Sequence, residues 1–514
     1  MSISKSKITP PDNRDIKELP VRVLQFGTGN FLRAFIDWMI DEMSRNGQFN
    51  GLVTMIQSTN GTTTERLESQ GNRYSLMLRG IQNGLPTSKL STVESIKNGI
   101  NANTHFSQLL KSVENPDLRL IFSNTTEAGF DYSDQESQND FPPPSFPTKL
   151  LLLIRHRYEF FNGAQDKGFL IFPCELIESN GDKLKEILGN IAKCWYPSDL
   201  NFHSWLNDAN VTFNTLVDRI VSGFPAQEAA DISQKIGFKD QLITVGEPFH
   251  FMAIEGPIEY EREFPIVSAG FNVKWCNDIS PYKTQKVRIL NGGHTMTVLA
   301  AHLSGLTTVE DCTKDPLFKA MMHQGIFDEI IPTMNFPKEE LHSFGEAVLE
   351  RFQNPHLDHQ LLSISLNSVS KWKERVLPTL IDYQTKYGKL PKILSFSLVA
   401  LTLFYRGRST EDDGSLKGTR AIDGQDYNIK DSDHILEWFK HNWSAFDEND
   451  ANACNHMMSQ VLAQTTFWGA DLNKIPLFTT TTAAMLTDAI TNGVKNTVNR
   501  IVSQQEDIDS TSTN

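Results

Sequence analysis

Lys286, Asn291 and His294, in the stretch KVRILNGGH, have the types and spacing for acid–base work on a carbonyl or an alcohol. A Ser-Pro pair just upstream reads as a helix start, so the stretch is expected to be helical. At about 100° per residue Asn291 and His294 share a face, and Lys286 lies roughly 80° round from His294, so all three can border one pocket. A lysine ammonium is an acid whose pKa falls towards the useful range on burial, and Asn and His offer hydrogen bonds to a polarised oxygen. Carbonyl reduction by hydride needs that combination. The plain alternative is a surface lysine, a helix-terminal asparagine and a core histidine. Gly292 and Gly293 tilt the balance towards function. Each glycine costs a helix interior roughly 1 kcal/mol relative to alanine, and close approach of a ligand is one reason to accept it.

A hydride needs a carrier, and the turn GTGNFLRA offers a place for one. Gly27 permits a tight turn, Gly29 lets the backbone approach a pyrophosphate, and that charge then sits at the positive N-terminus of the following helix. Leu32 stands where the common dinucleotide fingerprint has its third glycine, so the motif is incomplete and an ordinary strand-to-helix turn is the competing reading. Candidate cofactor residues are Leu24, Gln25, Phe26, Gly27, Thr28, Gly29, Asn30, Phe31, Arg33, Asn124 and Thr125. An acidic residue at the end of the second strand would favour NAD. That strand ends instead in Gln57, Ser58, Thr59 and Asn60 with Arg66 close behind, which leaves NADP open.

The elements that must position these groups alternate. VRVLQF (21–26), GLVTMIQST (51–59), LRLIFSNTTEAG (118–129) and KGFLIFPCELI (167–177) are apolar, β-branched runs with helical stretches between them; FLRAFIDWMIDEMSRNG is the first such helix. This predicts an α/β, Rossmann-like N-terminal domain with a mostly parallel sheet, residues 1–280. From Pro281 strand signals fade, which predicts a mainly α-helical substrate-binding domain over 281–514, ending in a disordered tail from about 503. Acidic, proline-rich 130–147 reads as an exposed loop able to act as a lid, and polar 408–433 as a long loop or hairpin.

Composition limits the function classes. Hydrophobic residues at 39% and charged residues at 21% describe a soluble globular chain with no membrane span. A net charge of −14 argues against nucleic acid, whose phosphates need clustered Lys and Arg. The polar opening MSISKSKITPPDNRDIKELP lacks the apolar core of a secretory signal, so a cytoplasmic location is expected. Five scattered cysteines suit reduced structural thiols, and His294, His302 and nearby carboxylates form no compact metal-ligand cluster.

On KxxxxNxxH and GTGNFLRA, together with FSNTTEAG, PCELIESNGDKL, TLVDRIVSGFP and RFQNPHLDHQLLSIS in the same order, the chain resembles the polyol-specific long-chain dehydrogenases, the family of mannitol dehydrogenase and the hexuronate reductases. The resemblance implies NAD as cofactor, no catalytic metal, and reversible reduction of D-tagaturonate to D-altronate. It makes Lys286 the acid in reduction and the base in oxidation, with Asn291 and His294 orienting the substrate oxygen. Asp218 falls where the family has a polar residue near the substrate, although pairing with Arg219 would also explain it. Fructuronate, a mannitol-type polyol, or a nucleotide-sensing role without chemistry are the alternatives. The mannitol enzymes' Asp-Asn pair is replaced here by Glu175 and Leu176, which leaves the second oxygen-polarising donor unassigned and makes mannitol itself a poorer candidate. A hexuronate or hexonate carries a carboxylate, for which His359, Lys371 and Arg375 are candidate partners, the latter two sharing a helix face. A monomer or small homo-oligomer is expected.

Overall fold

The computed structural model describes residues 15–133, 135–357 and 359–511, and the chain divides into two compact units with the boundary between Tyr282 and Lys283.

In the first unit six strands form one parallel sheet: β1 (Val21–Phe26), β2 (Leu52–Gln57), β3 (Ile96–Asn101), β4 (Leu120–Ser123), β5 (Leu170–Pro173) and β6 (Val211–Thr212). Their spatial order is β3-β2-β1-β4-β5-β6, the order of a dinucleotide-binding sheet, and it reverses between β1 and β4. β2, β4 and β5 are buried along their whole length, as strands covered on both faces must be, which is why they read as unbroken apolar runs. Val23 packs on one side of the sheet, Leu24 and Phe26 on the other.

Two smaller sheets flank this frame. Tyr74–Gln82 and Leu85–Val93 form a hairpin whose turn, Asn83-Gly84, has both residues at positive φ, the geometry a tight two-residue hairpin requires. Asn214–Asp218, Phe251–Glu255 and Val273–Cys276 form the other sheet.

The second unit is built around two buried helices. Gly292–Leu303 and Lys392–Phe404 pack together, and Ile393 to Phe404 are buried without a break. Glu329 is fully buried beside them and accepts hydrogen bonds from the backbone N–H groups of Ile393 and Leu394, both at 2.9 Å, so it caps the second helix. Residues 407–429, within the segment expected to be a loop or hairpin, make a three-stranded antiparallel sheet. The final helix, Val494–Thr511, runs on into the segment expected to be a disordered tail from about 503, whose last three residues lie outside the described ones; Val498, Ile501 and Val502 bury its apolar side.

Candidate functional site

The glycine turn lies at the C-terminal edge of the parallel sheet, where the strand order reverses. Gly27 has φ +119°, and a Cβ there would stand 2.9 Å from the Asn124 carbonyl oxygen, so the position excludes a side chain. A Cβ on Gly29 would meet nothing within 4 Å, which leaves its backbone open to a ligand. Leu32, in the place of the third glycine, is buried against the turn. A cleft of about 650 Å³ opens here, lined by Gly27, Thr28, Gly29, Ser58, Asn124 and Thr125 among others. Ser58 Oγ is buried in it with no hydrogen-bond partner among the described residues. A bare glycine backbone and an orphaned hydroxyl beside the end of β2 fit the pyrophosphate and ribose of a dinucleotide.

The remaining cofactor candidates build this turn without lining the cleft. Leu24, Gln25 and Phe26 are buried in β1, and the Gln25 amide donates to the Gly27 carbonyl oxygen at 3.1 Å and to Asp37 at 3.1 Å, propping the turn from below. Arg33 is buried and donates to the Leu242 carbonyl oxygen at 2.8 Å and to Asn30, while Phe31 stacks on Phe35 at 5.1 Å. The helix expected to run unbroken from Phe31 is two pieces, Asn30–Arg33 and Ile36–Arg45. At the break the Arg33 carbonyl accepts from Tyr74 Oη at 2.6 Å and the Ala34 carbonyl from Arg219, distant partners that local spacing cannot reveal.

The end of β2 carries no acid. Gln57 donates to the carbonyls of Thr59 and Gly61 and accepts from the N–H groups of Thr63 and Thr64, closing its own loop. The acidic segment after β4 forms a wall of the cleft through Asp131, Tyr132, Ser133 and Glu136. Glu136 accepts from Ser133 N, Ser145 N and Thr148 Oγ1, and its carbonyl accepts from Trp195 Nε1, so this stretch is fastened to the helix Phe146–Phe160 and beyond. Glu175 accepts from Thr125 N at 2.9 Å and Ser123 Oγ at 3.0 Å, tying β5 to β4, and burial holds its carboxyl above the ordinary range. Glu175 is buried and held by Thr125 and Ser123, and Leu176 is exposed.

The stretch KVRILNGGH is not a plain α-helix. Lys286–Asn291 is a π-helical turn that passes directly into the α-helix Gly292–Leu303. An i→i+5 pattern makes residues five apart neighbours on one face, so Lys286 and Asn291 line up where α-helical winding would have separated them. Of the two glycines only Gly292 has a packing reason. A Cβ on Gly292 would stand 3.1 Å from the Arg375 carbonyl oxygen, and one on Gly293 would touch Ile326 at 3.4 Å. The approach of a neighbouring helix end, rather than of a ligand, explains Gly292.

Lys286 is half-buried. His294 stacks on Phe352 with ring centroids 4.1 Å apart and meets His359 edge-on at 5.1 Å. Its Nε2 is buried with no partner among the described residues. Burial, then His359, Arg351 and Arg375, hold its pKa well below the usual histidine range, so the ring is neutral. Arg375 donates one long hydrogen bond, 3.5 Å, to Thr295 Oγ1, and Lys371 donates to the Ile364 carbonyl oxygen at 2.9 Å. Burial lowers the pKa of both, and of His359.

The second unit therefore gathers His294, His359 and Arg375 and adds Arg351. Arg351 is a buried cation in RFQNP that the sequence reading passed over, although a charge between Leu349 and Phe352 on a half-apolar helix was a usable signal. Asp218 belongs to the first unit, where it ends its strand, buried; Arg219 beside it donates to the carbonyls of Phe249 and Pro248. Among the described residues no group of His, Cys, Asp and Glu is placed to hold a metal ion, and no helix is long and apolar enough to cross a membrane.

A six-stranded dinucleotide sheet followed by a helical unit carrying Lys, Asn and His in one helix is the architecture of a two-domain dehydrogenase. Residues 21–266 match the family model of the mannitol dehydrogenase Rossmann domain and residues 278–490 that of the mannitol dehydrogenase C-terminal domain. The chain belongs to the mannitol dehydrogenase family. It is 39% identical over 490 residues to the altronate oxidoreductase of Halalkalibacterium halodurans, covering 95% of this chain and 94% of that one. It is 38% identical to the altronate oxidoreductase of Yersinia enterocolitica, covering 93% and 96%. Among solved structures it is similar to a D-sorbitol dehydrogenase in substrate-free form (TM-score 0.75, 19% identity, 95% and 96% covered). It is also similar to Pseudomonas fluorescens mannitol 2-dehydrogenase in a ternary complex with NAD and D-mannitol (TM-score 0.63, 19% identity, 96% and 97% covered). At that identity the two structures speak for the fold.

Proposed function

We propose that the chain is an NAD-dependent oxidoreductase that interconverts D-tagaturonate and D-altronate. The observation that carries this reading is the π-turn from Lys286 to Asn291 running into a neutral His294 whose Nε2 is buried and unpartnered among the described residues. The altronate oxidoreductases that align along nearly the whole chain support the sugar-acid assignment.

NADH, when bound, supplies the hydride. The ammonium of Lys286 gives its proton to the ketone oxygen as negative charge develops there, and the resulting amine takes that proton back when altronate is oxidised. The Asn291 amide and the His294 imidazole donate to the same oxygen and fix its direction. A neutral His294 suits this, because it adds no second positive charge beside Lys286. Gly27, Thr28, Gly29, Ser58, Asn124 and Thr125 hold the dinucleotide, on a turn shaped by Leu24, Gln25, Phe26, Asn30, Phe31 and Arg33. Among the described residues the charged ones lining the cleft, Asp131 and Glu136, are acidic, which favours NAD over its 2′-phosphorylated form. Asp218, His359, Lys371 and Arg375 are the residues proposed to contact the substrate.

The test is a panel of tagaturonate, fructuronate and fructose against NADH and NADPH, followed by loss of the reduced coenzyme. Fastest turnover with tagaturonate and NADH is expected. A chain that reduces fructose best, or none of the three, overturns the reading.

A further inference from the structure

We infer that Arg375 is the residue that selects a carboxylated sugar, and that Gly292 exists to bring it to the catalytic helix. This rests on the sugar-acid reading above and narrows it to one cation.

The helix Ser368–Arg375 ends against the catalytic segment, with its last carbonyl so close to Gly292 that a methyl group there would be 3.1 Å away. The backbone of Arg375 is thus locked to the residue that follows Asn291. Its side chain turns back to Thr295, the residue after His294. Arg375 is half-buried; the carboxylate that acts on it is that of its exposed chain neighbour Glu374, with no ion pair between them, and its one hydrogen bond is long. Of the five N–H donors on its planar fork one makes a weak bond within the protein, to the residue that follows His294, and the others are open to solvent or a ligand. The other cations are used differently. Lys371 spends a donor on the Ile364 carbonyl, and Arg351 is buried within its own helix's packing face. Partly desolvating a cation without a counter-charge is costly, and an anionic ligand group removes the cost. A carboxylate matches the fork bidentately, whereas a polyol hydroxyl at the same place offers one weaker acceptor.

The experiment compares kcat/KM for tagaturonate and for fructose in the wild type, in Arg375→Leu, in Arg375→Lys and in Gly292→Ala, with NADH dissociation constants as a control. In Arg375→Leu the ratio of tagaturonate to fructose efficiency is expected to fall roughly thirtyfold or more, the size of a lost charge-assisted pair. Arg375→Lys should restore part of it, because the charge returns without the fork. Gly292→Ala, which pushes the Arg375 backbone away, should lower the ratio in the same direction. Equal loss on both sugars in Arg375→Leu, or an unchanged ratio, overturns the proposal. A wild type active on no hexuronate overturns the parent reading instead, and the two failures are told apart before any variant is made.

Discussion

Lys286, Asn291 and His294 illustrate how much chemistry a spacing can carry and where it stops. Residue types and helical phase were enough to group them, but α-helical winding separates Lys286 from Asn291, and the π-turn that realigns them leaves no signature in composition. Arg375 could be nominated from the chain, whereas its contact with Thr295 and its nearness to His294 depend on packing between segments some eighty residues apart. Replacement of Lys286 by Ala is expected to lower kcat by about two to four orders of magnitude while the NADH dissociation constant changes less than about threefold, read by steady-state kinetics and fluorescence titration. His294 should stay neutral through the physiological range. Its ring resonances in an NMR titration should therefore still be those of the neutral form where an ordinary histidine is half-protonated, near pH 6.5.

At the scale of elements, the two glycines of the stretch 286–294 are not equivalent. Gly293→Ala meets Ile326 only at ordinary contact distance, so it should be tolerated and even stabilise by about 0.5–1 kcal/mol through helix propensity. Gly292→Ala should destabilise, because the Arg375 backbone must yield; thermal melts of the pair decide it. Glu329 gives a pH test. Burial raises its carboxyl from 4.5 to about 7. The folded chain therefore holds that proton more tightly than the unfolded one, and the associated stability is complete below about pH 4.5 and lost as pH rises through about 7. Chemical denaturation of Glu329→Gln should show a flatter pH dependence over that window, by up to about 3 kcal/mol. β1 and its glycine turn were legible because an apolar run, a glycine pair and an amphipathic helix follow each other locally. β3 and the strand Leu85–Val93 were not, since their apolar positions are few, although Asn83-Gly84 carried a turn signal; the sheet at 407–429 was legible only as a loop or hairpin.

For the whole molecule, the alternation of strands and helices followed by helices alone was enough to anticipate a nucleotide-binding sheet and a helical partner, because a parallel sheet must be covered on both faces. Activity should be unaffected by chelators, since no described cluster can hold a metal; an assay after exhaustive dialysis against EDTA checks this. The division of the chain at Tyr282/Lys283 puts the cleft residues in one compact unit and the residues proposed for proton transfer in the other. Damage confined to the helical unit therefore need not touch coenzyme affinity. Such molecules would act as a sink, sequestering NADH stoichiometrically and giving nothing back, so active-site counts from nucleotide titration would overstate the working population in any partly inactivated sample.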